Sequence, residues 1–387
     1  MLKIPKNIQY VIDLLQKNGH KAYIVGGCVR DMLLSKTPFD YDITTSALPQ
    51  EVEGIFEKTI PTGIKHGTVT VIIEKEPIEV TTFRTEKGYD DNRHPKKVSF
   101  VGDIKEDLAR RDFTVNAMAY NETDGIIDCF GGRRDLENRI LRAVGEPEKR
   151  FGEDALRILR LFRFACVLNF EIEKETLNAA LKLSPTLEKI SVERISTELR
   201  KAVCGENIKA VAPLIECGGL GFLGIRNLPD FSVLQKVCRN ENLGFFSFLF
   251  LSGSRVNDTV SLLKSSNKFK KYCSSLLELN ELPFPVTKYD IKRRLAVSDS
   301  DVLKDYFTLY SAMNNTATVL EEKLLNEIID FNEPYLISHL KLNGKDLMKL
   351  GFSGEAVGDT LEFLLQRVME NPESNNPKAL KSFLNLR

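Results

Sequence analysis

The sequence contains no tryptophan, only 4 histidines, and no C-x-x-C pair among its 7 cysteines. Few imidazoles and lone thiols leave little with which to build a zinc site or a disulfide framework. An odd number of scattered cysteines fits a reducing compartment, so a cytoplasmic location is expected. No apolar run approaches the roughly 18 residues needed to span a bilayer. The segment Met1-Leu2-Lys3-Ile4-Pro5 lacks the apolar core of a secretory signal, and no membrane association is expected. Excess charge is missing too: 54 basic residues balance 54 acidic ones. Nucleic-acid-binding proteins are often basic overall, so such a partner calls here for a local basic stripe. Neither an internal repeat nor a low-complexity tract occurs.

With 387 residues, the chain exceeds the size at which one hydrophobic core stops growing, about 250–300 residues, so more than one domain is expected. The stretch Tyr23-Ile24-Val25-Gly26-Gly27-Cys28-Val29-Arg30-Asp31 begins as a short apolar strand, breaks at two glycines and restarts as a helix from about Val29. Phe39-Asp40-Tyr41-Asp42-Ile43 then reads as a second strand. Side chains alternate on a strand, so Asp40 and Asp42 share a face. Two carboxylates so close repel each other unless a cation lies between them, and oxygen-only ligands of this kind suit Mg²⁺. A glycine pair lets the backbone approach a phosphate closely. Together these features predict a metal-dependent nucleotide site.

Around that stretch the sequence predicts a helix over Ile4 to Asn18, with Ile8, Val11, Ile12 and Leu15 on one face. Ser46 is a candidate N-cap for a helix running to about Phe56. Thr68 to Ile73 and Ile78 to Phe83 read as an antiparallel hairpin turning at Lys75-Glu76-Pro77. Arg84 to Pro95 is polar and lacks an apolar period, which reads as a surface loop. Glu106 to Met118 reads as a helix carrying Arg110, Arg111 and Asp112, and Asp128 to Asp135 as a turn into another. From Phe151 onward strand-like runs almost vanish. The expected class is therefore α+β, a mixed α/β head with a small sheet followed by an all-helical region.

One segment of that region is unusual. Asp154, Arg157, Arg160 and Arg163 recur at steps of three through an otherwise apolar Glu153 to Phe164. A mostly buried helix does not carry three arginines unless they have partners. Asp154 and Arg157 can form a paired acceptor–donor edge, while Arg160 and Arg163 wind away to serve phosphates or brace a neighbouring element. A carboxylate beside a guanidinium accepts from an exocyclic amino group and donates to a ring nitrogen or carbonyl, which favours cytosine and adenine over guanine and uracil. The alternative is a salt-bridged helix at a domain junction. Two basic clusters with interleaved aromatics, Lys268 to Tyr272 and Lys288 to Arg294 (with Lys292 and Arg293), suit phosphate-backbone contact or a solvated helix face equally.

In order and spacing, Gly26-Gly27-Cys28-Val29-Arg30-Asp31, Asp40-Tyr41-Asp42, Arg110 to Ala117 and Glu153-Asp154-Ala155-Leu156-Arg157 resemble the successive motifs of class II CCA-adding tRNA nucleotidyltransferases. This is the bacterial branch shared with poly(A) polymerases, within the polymerase-beta-like superfamily. Leu342 to Gly351 resembles the tail segment of the CCA-adding enzymes. The resemblance implies a nucleotidyltransferase head over residues 1–148, a helical neck over 149–205 that recognises the base, and a body (206–290) and tail (291–387) that hold tRNA. It implies template-independent addition of CCA to the tRNA 3′ end from CTP and ATP, with repair of incomplete ends. A-only addition and poly(A) synthesis are the alternatives.

Asp40 and Asp42 are then the catalytic carboxylates that hold Mg²⁺. Gly27, Arg30, Arg111, Asp154, Arg157, Arg160 and Arg163 contact the nucleotide, with Asp154 and Arg157 reading the base. Glu79 or Asp112 is a candidate third carboxylate. In this family a loop at the position of Arg84–Pro95 helps the pocket switch from CTP to ATP, and its full length here, with Asp90, Asp91 and Arg93, disfavours CC-only addition. The expected partners are the tRNA 3′ acceptor end, CTP and ATP. Homodimerisation stays open.

Overall fold

Helix α1 (Lys6–Lys17) buries Ile8, Val11, Ile12 and Leu15, the face that its periodicity marked. It leads into β1 (Ala22–Val25), an apolar strand with every residue buried. The computed structural model describes residues 2–89 and 95–384. In order there follow α2 (Gly27–Leu33), β2 (Ile43–Thr45), α3 (Pro49–Ile55), β3 (Thr59–Gly63), β4 (Thr68–Ile73), β5 (Glu76–Thr82), β6 (Arg84–Tyr89) and β7 (Pro95–Phe100). Then come α4 (Ile104–Ala109), β8 (Met118–Asn121), β9 (Gly125–Asp128), α5 (Gly132–Glu137), β10 (Ile140–Leu141), α6 (Pro147–Glu153), α7 (Leu156–Leu168), β11 (Glu171–Ile172), α8 (Lys174–Leu183) and α9 (Val192–Val203).

Seven strands form one mixed sheet in the order β3-β4-β5-β2-β1-β8-β9. β1 lies between antiparallel β2 and β8, β2 pairs parallel with β5, and β4 and β5 form the expected antiparallel hairpin, turning at Glu74-Lys75 rather than Lys75-Glu76-Pro77, since Ile73 already pairs with Glu76. A central strand buried on both faces explains the unbroken apolar run Tyr23-Ile24-Val25.

Two compact units emerge, residues 1–231 with 251–254, and residues 232–250 with 255–387. The second is helical throughout its described residues. Within it Asn267–Glu281 packs against Ser300–Asn314 and Lys288–Leu295 against Val319–Asp330. A separate core gathers Leu340, Leu342, Leu347, Leu364, Val368 and Leu380. Among the described residues no helix is long and apolar enough to cross a membrane.

Several local expectations are corrected. Asp40 and Asp42 precede the strand rather than lying within it, although the Val25 N–H donates to the Asp42 carbonyl at 3.0 Å and carries the ladder one step further. Leu48 caps α3 in place of Ser46: the Glu51 carboxylate accepts the Leu48 N–H at 2.7 Å, while Ser46 Oγ accepts from the Lys21 N–H. The polar segment expected to be a loop forms the antiparallel β6–β7 pair, with Asp90, Asp91 and Arg93 outside the described residues.

The helix expected over Glu106 to Met118 ends at Ala109. Asp112 Oδ1 accepts the N–H of Phe113 and the amide of Asn116, a local bond that competes with helix continuation. Glu153 to Phe164 is two helices, not one, with Asp154 extended between them at φ −141°. The basic cluster at Lys288–Arg294 is largely structural. Lys292 is 1% exposed, donates to the Met369 carbonyl at 2.8 Å and pairs with Glu333, which also holds Lys288.

Candidate active site

Strand β1 ends at Val25, and Gly26, at a φ of +83°, turns the chain directly into α2. A side chain there is strained by the backbone and blocked as well, since a Cβ would sit 2.8 Å from Nη1 of Arg111. The missing side chain therefore lets a guanidinium lie against the turn. Asp107, on α4, is fully buried and takes two hydrogen bonds from Arg110, with Nη2 of Arg111 at 3.6 Å. Burial pushes the Asp107 carboxyl upward, but Arg110 and Arg111 outweigh that and hold it below the ordinary carboxylate range. Nε of Arg111 is buried without a hydrogen-bond partner. Beside a glycine turn, such a donor suits a phosphate or another anion.

Asp42 lies close enough to Arg111 to feel its charge. Although Asp42 opens to solvent, the protein around its carboxyl raises its pKa, Arg111 lowers it, and Asp40 and Glu79 raise it again. Two acidic neighbours that raise the Asp42 carboxyl mark a place where a cation would be welcome. The same charge, after burial, helps push the Cys28 thiol up to about 11, so that residue is an inert packing group behind the site. No group of three metal-capable side chains closes among the described residues. The pair Asp40 and Asp42 fits a cation whose remaining ligands come from substrate oxygens and water. Asp40, Asp42 and Glu79 line a cleft of ≈ 880 Å³ together with Phe39, Tyr41 and Thr70.

Asp112 is not available as a third carboxylate. Its Oδ2 takes Nε and Nη2 of Arg160 at 2.9 and 2.6 Å, and its Oδ1 takes the Asn116 amide. Asn116 Oδ1 in turn accepts from Nη1 of Arg30 at 2.6 Å, and Arg30 also pairs with Asp31. Glu79 remains the candidate.

The edge expected of Asp154 and Arg157 is braced from two sides. Asp154 and Arg157 are held by different partners. Asp154 Oδ2 accepts from Arg194 and Oδ1 from the Leu156 N–H, whereas Arg157 donates to Glu153 and to the carbonyls of Arg150 and Arg110. Arg163 pairs with Glu198, which also lies 4.0 Å from Arg160. The guanidiniums of Arg30, Arg160 and Arg163 surround the Phe164 ring at 5.2, 5.4 and 3.8 Å. Such cation–π contacts let three like charges crowd together when carboxylates interleave them. Arg30, Asn116, Asp112, Arg160 and Glu198 thus form a continuous polar chain from the glycine turn to α9.

Arg194, Glu198 and Asn116 went unassigned in the sequence reading. Three arginines in an apolar helix require acidic partners, and Arg194 and Glu198 stand four apart on the strongly amphipathic α9, a signal for those two residues; Asn116 carries none.

Residues 22–142 match the poly A polymerase head domain, and residues 169–223 match a segment described as the probable RNA and SrmB-binding site of polymerase A. A CCA-adding enzyme of Enterococcus faecalis is 37% identical over 392 residues, covering 96% of this chain and 94% of its own. One from Streptococcus suis is 37% identical, covering 98% and 97%. The crystal structure of the Bacillus stearothermophilus CCA-adding enzyme in complex with CTP is similar to it with a TM-score of 0.82 and 32% identity, covering 99% and 97%. A Thermotoga maritima CCA-adding enzyme complexed with tRNA shares the fold, with a TM-score of 0.69 at 21% identity. On glycine turn, aspartate pair, sheet order and full-length likeness together, this chain belongs to the CCA-adding enzyme family.

Proposed function

We propose that this protein adds CCA to the 3′ end of tRNA from CTP and ATP without a template, releasing pyrophosphate and repairing incomplete ends. The observation that carries the reading is Asp42 within reach of the Arg111 charge, with Arg111 against the Gly26 turn and Asp40 on the same cleft as Asp42, in a chain alike over its whole length to CCA-adding enzymes. Asp40 and Asp42 would hold Mg²⁺, which when bound neutralises the triphosphate and activates the attacking hydroxyl. Arg111, tethered by Asp107, binds the phosphate or ribose side of the nucleotide, with Gly27 and Arg30 at the turn. Asp154 and Arg157 orient acceptor and donor toward the base, while Arg160 and Arg163 stiffen the pocket through Asp112 and Glu198. The four-part division into head (1–148), neck (149–205), body (206–290) and tail (291–387) is part of the proposal, body and tail holding the acceptor arm. So are a cytoplasmic location and a substrate role for tRNA.

The test uses tRNA transcripts ending at the discriminator base, at C and at CC, with CTP or ATP supplied separately. C incorporation on the first two and A on the third alone is the expected result; no incorporation from CTP overturns it. Asp42→Ala should abolish addition while tRNA binding persists, and chelation should abolish it until Mg²⁺ is restored.

A further inference from the structure

Phe39 is 103% exposed, the most exposed large hydrophobic residue among those described. It stands immediately before Asp40, on a segment anchored by the buried Pro38, and lines the same cleft as both aspartates. Scattered apolar residues on a surface need no explanation, but a whole ring presented at the mouth of a charged cleft does.

The cleft also has a direction. Gly26, Gly27, Arg30 and Arg111 are absent from its lining, whereas Asp40 and Asp42 belong to it. The carboxylate pair therefore divides the phosphate-binding side, at the glycine turn, from the cleft. In-line displacement at phosphorus needs the attacking oxygen and the leaving oxygen on opposite sides. With the triphosphate at the turn, the attacking 3′-hydroxyl arrives through the cleft. An unpaired RNA end brings a free base with it, and bases stack on exposed aromatic rings whatever their identity. A sequence-tolerant contact is what a primer end changing with each cycle requires.

We propose that Phe39 is the stacking platform for the unpaired 3′-terminal nucleotide of the RNA being extended, with Tyr41, two residues on and in the same cleft, bordering the nucleotide's ribose. This rests on the catalytic assignment of Asp40 and Asp42.

Phe39→Ala, Phe39→Leu and Phe39→Trp are compared with the unchanged protein, varying a tRNA transcript ending in C and, separately, CTP. Phe39→Ala should raise KM for the RNA roughly 5- to 100-fold, with KM for CTP within about twofold. Trp should restore it and Leu should not, and melting temperatures should match because the ring packs against little. A transcript whose terminal nucleotide is abasic should lose affinity in the unchanged protein and lose nothing further in Phe39→Ala. An unchanged KM for RNA, rescue by Leu equal to that by Trp, or a rise confined to CTP each overturns the proposal. An unchanged protein that extends no transcript overturns instead the function beneath it.

Discussion

Nη2 of Arg194 lies 2.9 Å from Oδ2 of Asp154, reaching from α9 to the break between α6 and α7. With the Leu156 N–H on the other oxygen, both lone-pair faces of Asp154 are set by the protein. A base-reading carboxylate works only if its orientation does not depend on the substrate, because a loosely held group can turn to suit the wrong base. If Asp154 reads the base, Arg194→Met should therefore cost discrimination more than turnover. The ratio of kcat/KM for CTP over UTP should fall roughly tenfold. Four-nucleotide competition kinetics on a transcript ending in C measures this, and an unchanged ratio would sink the orienting role.

Asp112 and Arg160 make a second prediction, about stability. Burial raises the Asp112 carboxyl, but the Arg160 charge and hydrogen bonds from Arg160, Asn116 and Phe113 outweigh it and bring the pKa down to about 2. A carboxyl depressed in the folded state contributes stability above its unfolded value, near 3.9, and that contribution drains away as pH falls toward about 2. The shift corresponds to about 2–3 kcal/mol. Asp112→Ala removes one partner of the pair and should cost about 2 kcal/mol at pH 7, Arg160 keeping only the more distant Glu198. The difference in unfolding free energy between the two proteins should shrink between about pH 4 and pH 2. Urea titrations across that range would show it, and a pH-independent difference would contradict the linkage.

What could be read in the sequence, and what could not, follows from how local the determinants are. β1, the antiparallel β4–β5 hairpin and α1 announce themselves by period and turn residues. Strands β3, β8 and β9 escaped, because Thr59-Ile60-Pro61-Thr62-Gly63 carries a proline and a glycine and Met118-Ala119-Tyr120-Asn121 follows a helix-like run. Each becomes a strand through its neighbours, β3 at the sheet edge, where proline is tolerated, and β8 against β1. The break at Asp154 was hidden for a different reason. Nothing in Glu153-Asp154-Ala155 forbids a helix; the break comes with a carboxylate that caps the next turn and an arginine from α9 that holds it. Partners distant in sequence decided the site's second half.

Gly26 and Arg111 supply the last test. Alanine at position 26 meets two costs together: a φ of +83°, which an L residue rarely adopts, and a methyl carbon 2.8 Å from Nη1 of Arg111. The backbone cost falls on folding and is about 1–2 kcal/mol. The clash falls on a side chain that can move, but moving Arg111 draws it from Asp107 and from the place where its buried, unpartnered Nε would meet the nucleotide. If Arg111 binds the nucleotide's phosphates as proposed, Gly26→Ala should lower kcat/KM by roughly 100-fold or more while lowering stability only modestly, because that contact is lost in the transition state as well as in binding. Pre-steady-state addition of one C, with a thermal melt alongside, separates the two effects. Near-normal addition in a folded Gly26→Ala protein would mean that Arg111 does not touch the nucleotide.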